Sequence, residues 1–298
     1  MKIALSTMWG IKRFPQLKDF FSTAESIGFS RFELNHGVTS QMLTGLDGRT
    51  ITSVHEPCPA DISVEALREK NYLISALTSI ERGKGIEAIQ RSIDLAKNLG
   101  APLVIVHPGR VEMDTGIEDS LRNLYRAGNK GTEAYRALIV KYRQERNRQA
   151  LQNLKAVKES LKELLEYAID RGICLGLENR YYYHEIPTPE ELEELLSLAP
   201  PEHLGFWYDV GHAEVLDRLG LIPHSEWLER FSHRIVGVHF HDVEGIDDHK
   251  PAGYGTVPWD SILSFLPRGI PVTCEFQNTW SAQEIQEGAQ YLQRKGIA

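Results

Sequence analysis

The stretch Val236-Gly-Val-His239-Phe-His241-Asp242 is a short apolar run that ends in two histidines and an acid. Side chains alternate along a β-strand, so His239 and His241 point to the same side of a sheet. Three other apolar runs end in the same way: Leu175-Gly-Leu-Glu178-Asn, Phe206-Trp-Tyr-Asp209-Val-Gly-His212 and Val272-Thr-Cys-Glu275. A carboxylate is costly to bury unless it is paired or binds a cation. The four endings therefore predict one shared site, and a divalent metal is the occupant that these residue types favour.

Short β-type runs alternate with longer helical patterns along the chain. The predicted strands are Ile3–Ser6, Arg31–Leu34, Ile51–Val54, Leu103–Val106, Cys174–Leu177, Gly205–Tyr208, Ile235–Phe240 and Pro271–Cys274. Alternating β and α units imply parallel strands joined by right-handed crossovers. No Gly-x-Gly-x-x-Gly follows the first strand, which counts against a dinucleotide-binding sheet. The pattern therefore predicts an α/β fold, a (β/α)8 TIM barrel, with residues 1–298 as a single domain.

The helical segments carry recognisable end signals. Thr188-Pro-Glu-Glu191 and Ser281-Ala-Gln-Glu284 have the spacing of capping boxes at helix starts. Gly28, Gly100 and Gly172 each stand between a helical pattern and a strand, where glycine stops a helix. These signals support the alternation of helices and strands.

Composition and charge narrow the class of protein. The formal net charge is −8, so neither nucleic acid nor an anionic membrane is a favoured partner. Cys58, Cys174 and Cys274 do not form a disulfide framework, and the first residues lack the apolar run of a signal peptide. No segment reaches the roughly eighteen apolar residues of a membrane span. We expect a cytoplasmic protein.

Residues 110–147 form an extended helical insertion after the fourth strand. The segment is polar and rich in arginine and lysine, and from Thr132 the pattern can run as one helix to Arg171. One interpretation is a solvated helix that contacts another subunit in a homo-oligomer. The alternatives are a lid over the carboxyl ends of the strands, or a basic clamp for a phosphate.

Histidines concentrate where the predicted strands end. Six of the eleven lie at or just beyond these ends: His55, His107, His212, His239, His241 and His249. The carboxyl ends of barrel strands are where the sites of this fold are built. Imidazole and carboxylate together are the usual ligands of zinc, manganese, iron and cobalt. The sequence therefore indicates a cavity lined by metal ligands.

The order of these motifs resembles a known family. His-x-Pro, His-Pro-Gly, Leu-Glu-Asn, Asp-x-Gly-His, His-x-His-Asp, Asp-x-His-x-Pro-x-Gly-x-Gly and a final strand Glu follow one another as in the xylose-isomerase-like barrels. This superfamily contains sugar phosphate isomerases and epimerases and the apurinic-site endonucleases. The resemblance extends from the first strand to the last helix.

The resemblance to the isomerases implies one divalent metal held by Glu178, Asp209, His239 and Glu275. It also implies that Glu178 and Glu275 move a proton on a carbohydrate substrate through a metal-stabilised enediolate, while His212 hydrogen-bonds a substrate oxygen. The expected activity is that of a sugar or sugar phosphate isomerase or epimerase. A barrel that keeps the metal and only binds a ligand is a further alternative.

The resemblance to the endonucleases implies a different metal count, and with it a multi-zinc phosphodiester hydrolase. His55, His107 and Glu178 would hold one zinc, the central four ligands a second, and His212, Asp247 and His249 a third. The cofactor is therefore one to three ions of Mn, Zn, Co or Fe. After the seventh strand the chain has His239-Phe-His241-Asp242, closer to the isomerases than to the endonuclease pattern His-x-Asn-Asp. The isomerase is the preferred interpretation.

Several residues near strand ends are candidates for substrate contacts. They are Arg110, Arg180, His241, Trp9 and Trp280. For the two arginines the alternative is an ion pair with a neighbouring acid, and for the two tryptophans it is plain packing. Glu33 ends the second strand, where we expect it to pair with a nearby cation or arginine. His184 and Lys250 are expected to be solvated.

Overall fold

Eight parallel strands pair side by side until the last meets the first, and so close a barrel. The structure is a computed structural model that describes residues 2–43, 46 and 48–297. The barrel strands are β1 (Ala4–Ser6), β2 (Arg31–Leu34), β3 (Thr50–His55), β4 (Leu103–Val106), β5 (Cys174–Glu178), β6 (Leu204–Asp209), β7 (Ile235–Phe240) and β10 (Val272–Cys274). A separate hairpin pairs β8 (Asp242–Glu244) with β9 (Asp247–Lys250). All eight predicted strands and the TIM-barrel fold class are confirmed, and the single-domain assignment stays a prediction.

Helices surround the barrel and join its strands. They are α1 (Leu17–Ser26), α2 (Val64–Glu69), α3 (Ser79–Leu99), α4 (Gly116–Arg126), α5 (Glu133–Ile169), α6 (Pro189–Leu196), α7 (Val210–Arg218), α8 (His224–Phe231), α9 (Trp259–Leu263) and α10 (Ala282–Arg294). Both predicted capping boxes are present, at Thr188 and Ser281. Gly100 ends α3 with a φ of 68°, the left-handed conformation that glycine adopts without strain. In the described part of the chain, no helix combines the length and the apolar character that crossing a membrane requires.

Trp207 of β6 fills the barrel interior below the strand ends. It packs there with Leu103 and Ile105 and is fully buried. The adjacent strand makes room for the indole with a glycine, because a Cβ on Gly237 would lie 2.1 Å from Trp207 Cζ3. The indole ring centre is 5.1 Å from that of His239, so Trp207 forms the apolar floor under the candidate site.

The insertion after β4 contains α4 and the first half of the 37-residue helix α5. Arg146 of α5 is only 1% exposed, and its guanidinium binds both carboxylate oxygens of Glu191, at 2.7 and 2.8 Å. Arg146 Nε also donates to the Tyr183 carbonyl. His184, expected to be solvated, is instead buried with Nδ1 3.0 Å from Glu118 of α4. The insertion therefore packs on the loop after β5, and Arg146 anchors that loop. The sequence pattern had instead suggested that the arginines of the insertion are solvated or bind a phosphate.

We predict that Arg146→Leu strongly destabilises the protein. The substitution leaves the Glu191 carboxylate buried without its partner, which costs about 3–5 kcal/mol in comparable buried pairs. Arg148→Ala is the matched control, because the Arg148 side chain on the same helix is 70% exposed. Urea unfolding followed by circular dichroism measures both free energies of unfolding. Equal stability of the two variants would contradict the anchoring role of Arg146.

Candidate metal centre

Four side chains from successive strand ends converge at the carboxyl end of the barrel. Glu178, Asp209, His239 and Glu275 are all buried, and one ligand atom from each lies within 4.8 Å of the others. His239 Nδ1 is 2.8 Å from Glu178 Oε1, 3.3 Å from Glu275 Oε2 and 3.5 Å from Asp209 Oδ2. The β6–β7 register sets Asp209 directly beside His239. Three carboxylates and one imidazole nitrogen thus face one point, a donor set that fits a divalent cation.

A second group shares the Glu178 carboxylate. His107 Nε2 lies 2.7 Å from Glu178 Oε2, and His55 Nε2 lies 3.7 Å from the same oxygen. His55 Nδ1 is 3.1 Å from the Glu56 carbonyl oxygen, which only accepts hydrogen bonds, so in the neutral ring Nδ1 carries the proton and Nε2 keeps its lone pair. The two oxygens of Glu178 therefore face two ligand sets, an arrangement that fits a carboxylate bridging two cations.

His212 belongs to a third group of possible metal ligands, which lies on the other side of Asp209. Its Nδ1 donates to the Asn179 carbonyl at 3.0 Å, so the lone pair of the neutral ring is on Nε2. Its backbone N–H donates to Asp209 Oδ1 at 2.7 Å. Asn179 also joins the ends of β5 and β6, because its amide bonds both the N–H and the carbonyl of Asp209. His212 thus presents one unprotonated nitrogen while its loop is held to the central ligands.

His241 lies behind Asp209 and is fully buried, which differs from the substrate contact expected for it. The backbone N–H of His249 donates to His241 Nδ1 at 2.9 Å. The proton of the neutral ring is therefore on Nε2, which donates to Asp209 Oδ1 at 2.9 Å. A Cβ on Gly211 would lie 2.0 Å from His241 Cε1, so this glycine of the Asp-x-Gly-His motif leaves space for the ring. His241 thus holds the Asp209 carboxylate from behind, and with His212 and His249 it also forms a further group of close imidazoles.

Asp247, the acid expected in a third zinc site, lies outside the cluster. Its side chain is 69% exposed and pairs with Arg126 at 3.3 Å. The neighbouring Asp248 takes the inward position, with Oδ1 2.9 Å from His249 Nδ1 and Oδ2 3.8 Å from His212 Nε2. His249 has a φ of 55°, which interrupts the strand alternation that would have turned Asp247 and His249 to the same side.

The central carboxylates are held ionised. Burial raises the pKa of Glu178, Asp209 and Glu275, but neighbouring guanidinium and imidazole groups outweigh it and bring each pKa well below its usual range. For His239 burial lowers the pKa, but Glu275 and the other acids around the ring outweigh it and raise the pKa well above its usual value. The buried negative charge is therefore balanced by a proton on His239 or by a bound cation.

The two candidate arginines lie at the rim of the cluster. Arg180 Nη1 contacts Glu178 and Nη2 is 3.5 Å from Glu185 Oε1, so this arginine is paired with neighbouring acids. Arg110 donates instead to the backbone carbonyl of Arg68. Arg110, Arg68 and Glu185 line a cavity of about 240 Å³ beside the insertion. Of the two, Arg110 retains a position from which it can meet a ligand.

The two candidate tryptophans differ in their surroundings. Trp9 is fully buried, packs edge-on against Phe14 and donates its Nε1–H to the Trp280 carbonyl at 2.8 Å. This is the packing alternative rather than a substrate contact. Trp280 is partly exposed and has the Lys250 ammonium over its ring at 5.6 Å.

The sequence singled out only Glu33 near the end of β2, where Asn35 and His36 also meet the cluster. Glu33 binds His239, Asn35 Nδ2 donates to Glu275 Oε1 at 3.4 Å, and the His36 ring is edge-on to His55 at 5.1 Å. Burial, and then His55, lower the pKa of His36 to about 3, so this ring is neutral near pH 7. The signal was available, because Phe32-Glu33-Leu34-Asn35-His36 is another apolar run that meets acidic and imidazole side chains.

Comparison with known proteins places the chain among similar barrels. The family described as xylose isomerase-like TIM barrel matches residues 21–295. The chain is 26% identical over 186 residues to protein MJ1311 of Methanocaldococcus jannaschii, which is 61% of this chain and 52% of that protein. It is 29% identical over 144 residues to inosose dehydratase of Geobacillus kaustophilus, 43% of this chain and 46% of the enzyme. The matched segments thus span about half the length of these relatives.

Solved structures share the whole architecture at low identity. A D-tagatose 3-epimerase-like protein matches with a TM-score of 0.69 and 20% identity over 99% of this chain and 97% of its own. The IOLI protein with a bound zinc atom matches with a TM-score of 0.64 and 16% identity over 98% and 96% of the two chains. At these identities the likeness shows the fold alone.

We predict that Asp209→Asn and His239→Ala each strongly reduce the metal content of the purified protein. Each removes a donor from the point that the four ligands share, and the remaining acids then repel one another without their cation. His233→Ala is the control, because His233 is exposed and precedes β7, at the end of that strand opposite to the one that carries His239. Inductively coupled plasma mass spectrometry after reconstitution gives the metal per chain. An unchanged content in both site variants would refute the ligand assignment.

We also predict that metal binding releases protons at neutral pH. The pKa of His239 is raised, so below that pKa the ring is protonated and a cation must displace the proton from Nδ1. The apparent affinity then rises with pH by about tenfold per unit for one displaced proton, and levels off above the pKa. Isothermal titration calorimetry in buffers of different ionisation enthalpy counts the protons. Binding without proton release at pH 6 would contradict ligation by His239.

Proposed function

Because the chain belongs to the xylose isomerase-like TIM barrel family, we propose that it is a metal-dependent isomerase or epimerase of a small carbohydrate. The main observation behind this proposal is that two ionised glutamates, Glu178 and Glu275, flank His239 Nδ1 at 2.8 and 3.3 Å. A two-base proton transfer at a sugar carbon uses two such groups close to one reacting centre. The epimerase-like neighbours and the inosose dehydratase relative support a carbohydrate substrate.

A divalent cation bound by Glu178, Asp209, His239 and Glu275 would polarise the carbonyl and hydroxyl oxygens of the substrate. One ionised glutamate would remove the proton from the carbon next to the carbonyl, and the other, after taking a proton from solvent, would deliver it to the same or the neighbouring carbon. Low pKa values leave both carboxylates ionised and able to act as bases. His212 presents an unprotonated Nε2 and so accepts a hydrogen bond from a substrate hydroxyl.

The surrounding residues hold these groups in place. Asn35 and His249 approach the two oxygens of Glu275, at 3.4 Å each, and so fix the plane of its carboxylate. Arg180 contacts Oε2 of Glu178, whereas Oε1 faces His239. Trp207 closes the barrel below the ligands and keeps water out from that side. The catalytic carboxylates are thus preorganised, which lowers the cost of reaching the transition state.

One observation favours a second candidate, a multi-zinc phosphodiester hydrolase. His55 and His107 face the outer oxygen of Glu178, and His55 has its lone pair directed inward, as ligands of a second cation would. Two metals a few ångströms apart are typical of enzymes that cleave phosphate esters. The exposed position of Asp247 removes one ligand from a three-metal arrangement.

We predict that the protein, reconstituted with Mn²⁺ or Zn²⁺ in deuterated water, incorporates deuterium next to the carbonyl of a ketose. Proton removal and return exchange the abstracted hydrogen with solvent. A panel of ketopentoses, ketohexoses and inososes is followed by NMR and mass spectrometry. Glu275→Gln should lower the exchange rate about 10²- to 10⁴-fold, the usual contribution of a general base.

The control for this experiment is Glu287→Gln, since Glu287 lies on the exterior helix α10 and contacts Tyr254. Metal content is measured for each variant, so that loss of the base is separated from loss of the cation. No exchange with any sugar, together with cleavage of an abasic-site oligonucleotide, would overturn the isomerase in favour of the hydrolase.

A further inference from the structure

Glu33 is a fully buried acid that the proposed reaction does not use. It is the second-last residue of β2, and two strands, β1 and β10, separate β2 from β7, which carries His239. Its carboxylate oxygens lie 3.1 and 3.0 Å from His239 Nε2. A buried carboxylate in this position needs an explanation, because burial without a partner is costly.

The His239 ring has acids on both sides. Nδ1 faces Glu178, Asp209 and Glu275, whereas Nε2 faces Glu33. An imidazole binds a cation only through a nitrogen that carries no proton, and the neutral ring keeps one proton. If only the Nδ1 side had acids, the proton would reside on Nδ1 and donate to Glu178, which blocks ligation. A second acceptor at Nε2 removes this conflict.

We propose that Glu33 is a positioning residue that holds the Nε2 proton of His239 and thereby directs the Nδ1 lone pair to the metal. The inference rests on the metal site of the proposed function. Glu33 contacts His239 and Ser53 and is not one of the four residues that share the candidate metal point. Partners of this kind fix the tautomer and orientation of a ligating histidine and make it a stronger donor.

The local structure aims Glu33 at His239. The β2–β3 pairing shifts register after Phe32, so that Phe32 stands opposite Ile51 while Glu33 stands opposite Ser53. Such an irregularity re-aims a side chain at a barrel rim. Ser53 Oγ then donates to Glu33 Oε2 at 2.8 Å, which fixes the carboxylate from the neighbouring strand. Both oxygens are therefore placed before any cation binds.

Two variants separate the hydrogen bond from the charge. Glu33→Leu removes both, whereas Glu33→Gln keeps an oxygen that accepts the Nε2 proton. We expect Zn²⁺ affinity, measured by chelator competition on the full chain, to fall about 10- to 100-fold for Glu33→Leu, the usual loss for such a partner. Glu33→Gln should recover part of this loss.

Glu214→Leu is the matched control. Glu214 is also buried and accepts a hydrogen bond from an imidazole, His224 Nδ1, at 2.7 Å, on the flank of the barrel. This variant loses a similar buried pair and the stability that goes with it, but it should keep the wild-type Zn²⁺ affinity. A general loss of packing would instead lower the affinity of both leucine variants.

The bonding nitrogen provides a direct readout. In ¹⁵N long-range correlation spectra of Zn²⁺-loaded, histidine-labelled protein, His239 should be bound through Nδ1 with a proton on Nε2, in wild type and in Glu33→Gln. The His239 signals are identified by their absence in His239→Gln. If Glu33→Leu does not fold, the spectrum and the Zn²⁺ affinity of Glu33→Gln test the proposal instead. For Glu33→Gln we expect ligation through His239 Nδ1 and an affinity about two- to tenfold below that of the wild type.

Two results would overturn the inference. One is a folded Glu33→Leu or Glu33→Gln variant that binds Zn²⁺ as tightly as wild type, and the other is ligation of His239 through Nε2 in the wild type. Failure of the wild-type chain to bind Zn²⁺ or Mn²⁺ would instead refute the metal site itself. The failure of the inference and that of the proposed function are thus distinguishable.

Discussion

The site depends on one electrostatic constraint: three buried carboxylates face a single imidazole nitrogen. Glu178, Asp209 and Glu275 are all less than about 4 Å from His239 Nδ1 and are removed from water. Their mutual repulsion in a weakly polarisable interior is large unless a positive charge lies between them. The ligand side chains are therefore incompatible with a simple packed core, and they account for the polar shell of histidines and asparagines around them.

The barrel meets this constraint by contributing each group from a different strand. Parallel strands bring their carboxyl ends to one face, so residues separated by almost a hundred positions become neighbours. Behind them lies a second layer: His241 holds Asp209, Asn35 holds Glu275, and Glu33 holds His239. The hydrogen-bond partners also set the tautomers of the neutral His55 and His212 rings, which leaves the lone pair of each ring on Nε2.

The sequence predicted the strands and the acidic and imidazole side chains that converge at their ends, because both follow from local patterns. Apolar runs with acidic ends can be recognised one strand at a time, as at Glu178 and Asp209. The Glu33–His239 pair cannot, since it depends on how a barrel closes across residues far apart in sequence. Asp248 faces the cluster in place of Asp247 because His249 adopts a left-handed conformation. No periodicity in the sequence indicates that conformation. The burial of Arg146 depends in the same way on a partner, Glu191, from a distant helix.

The central claim is that a divalent cation sits at the point shared by Glu178, Asp209, His239 and Glu275. Anomalous diffraction from crystals grown with Zn²⁺, recorded on both sides of the zinc absorption edge, tests it most directly. The predicted result is a peak at this point within roughly 2.0–2.2 Å of His239 Nδ1 and carboxylate oxygens. A second peak between His55, His107 and Glu178 would set the metal count at two. Fully loaded crystals with zinc only elsewhere, or with none in the barrel, would contradict the claim.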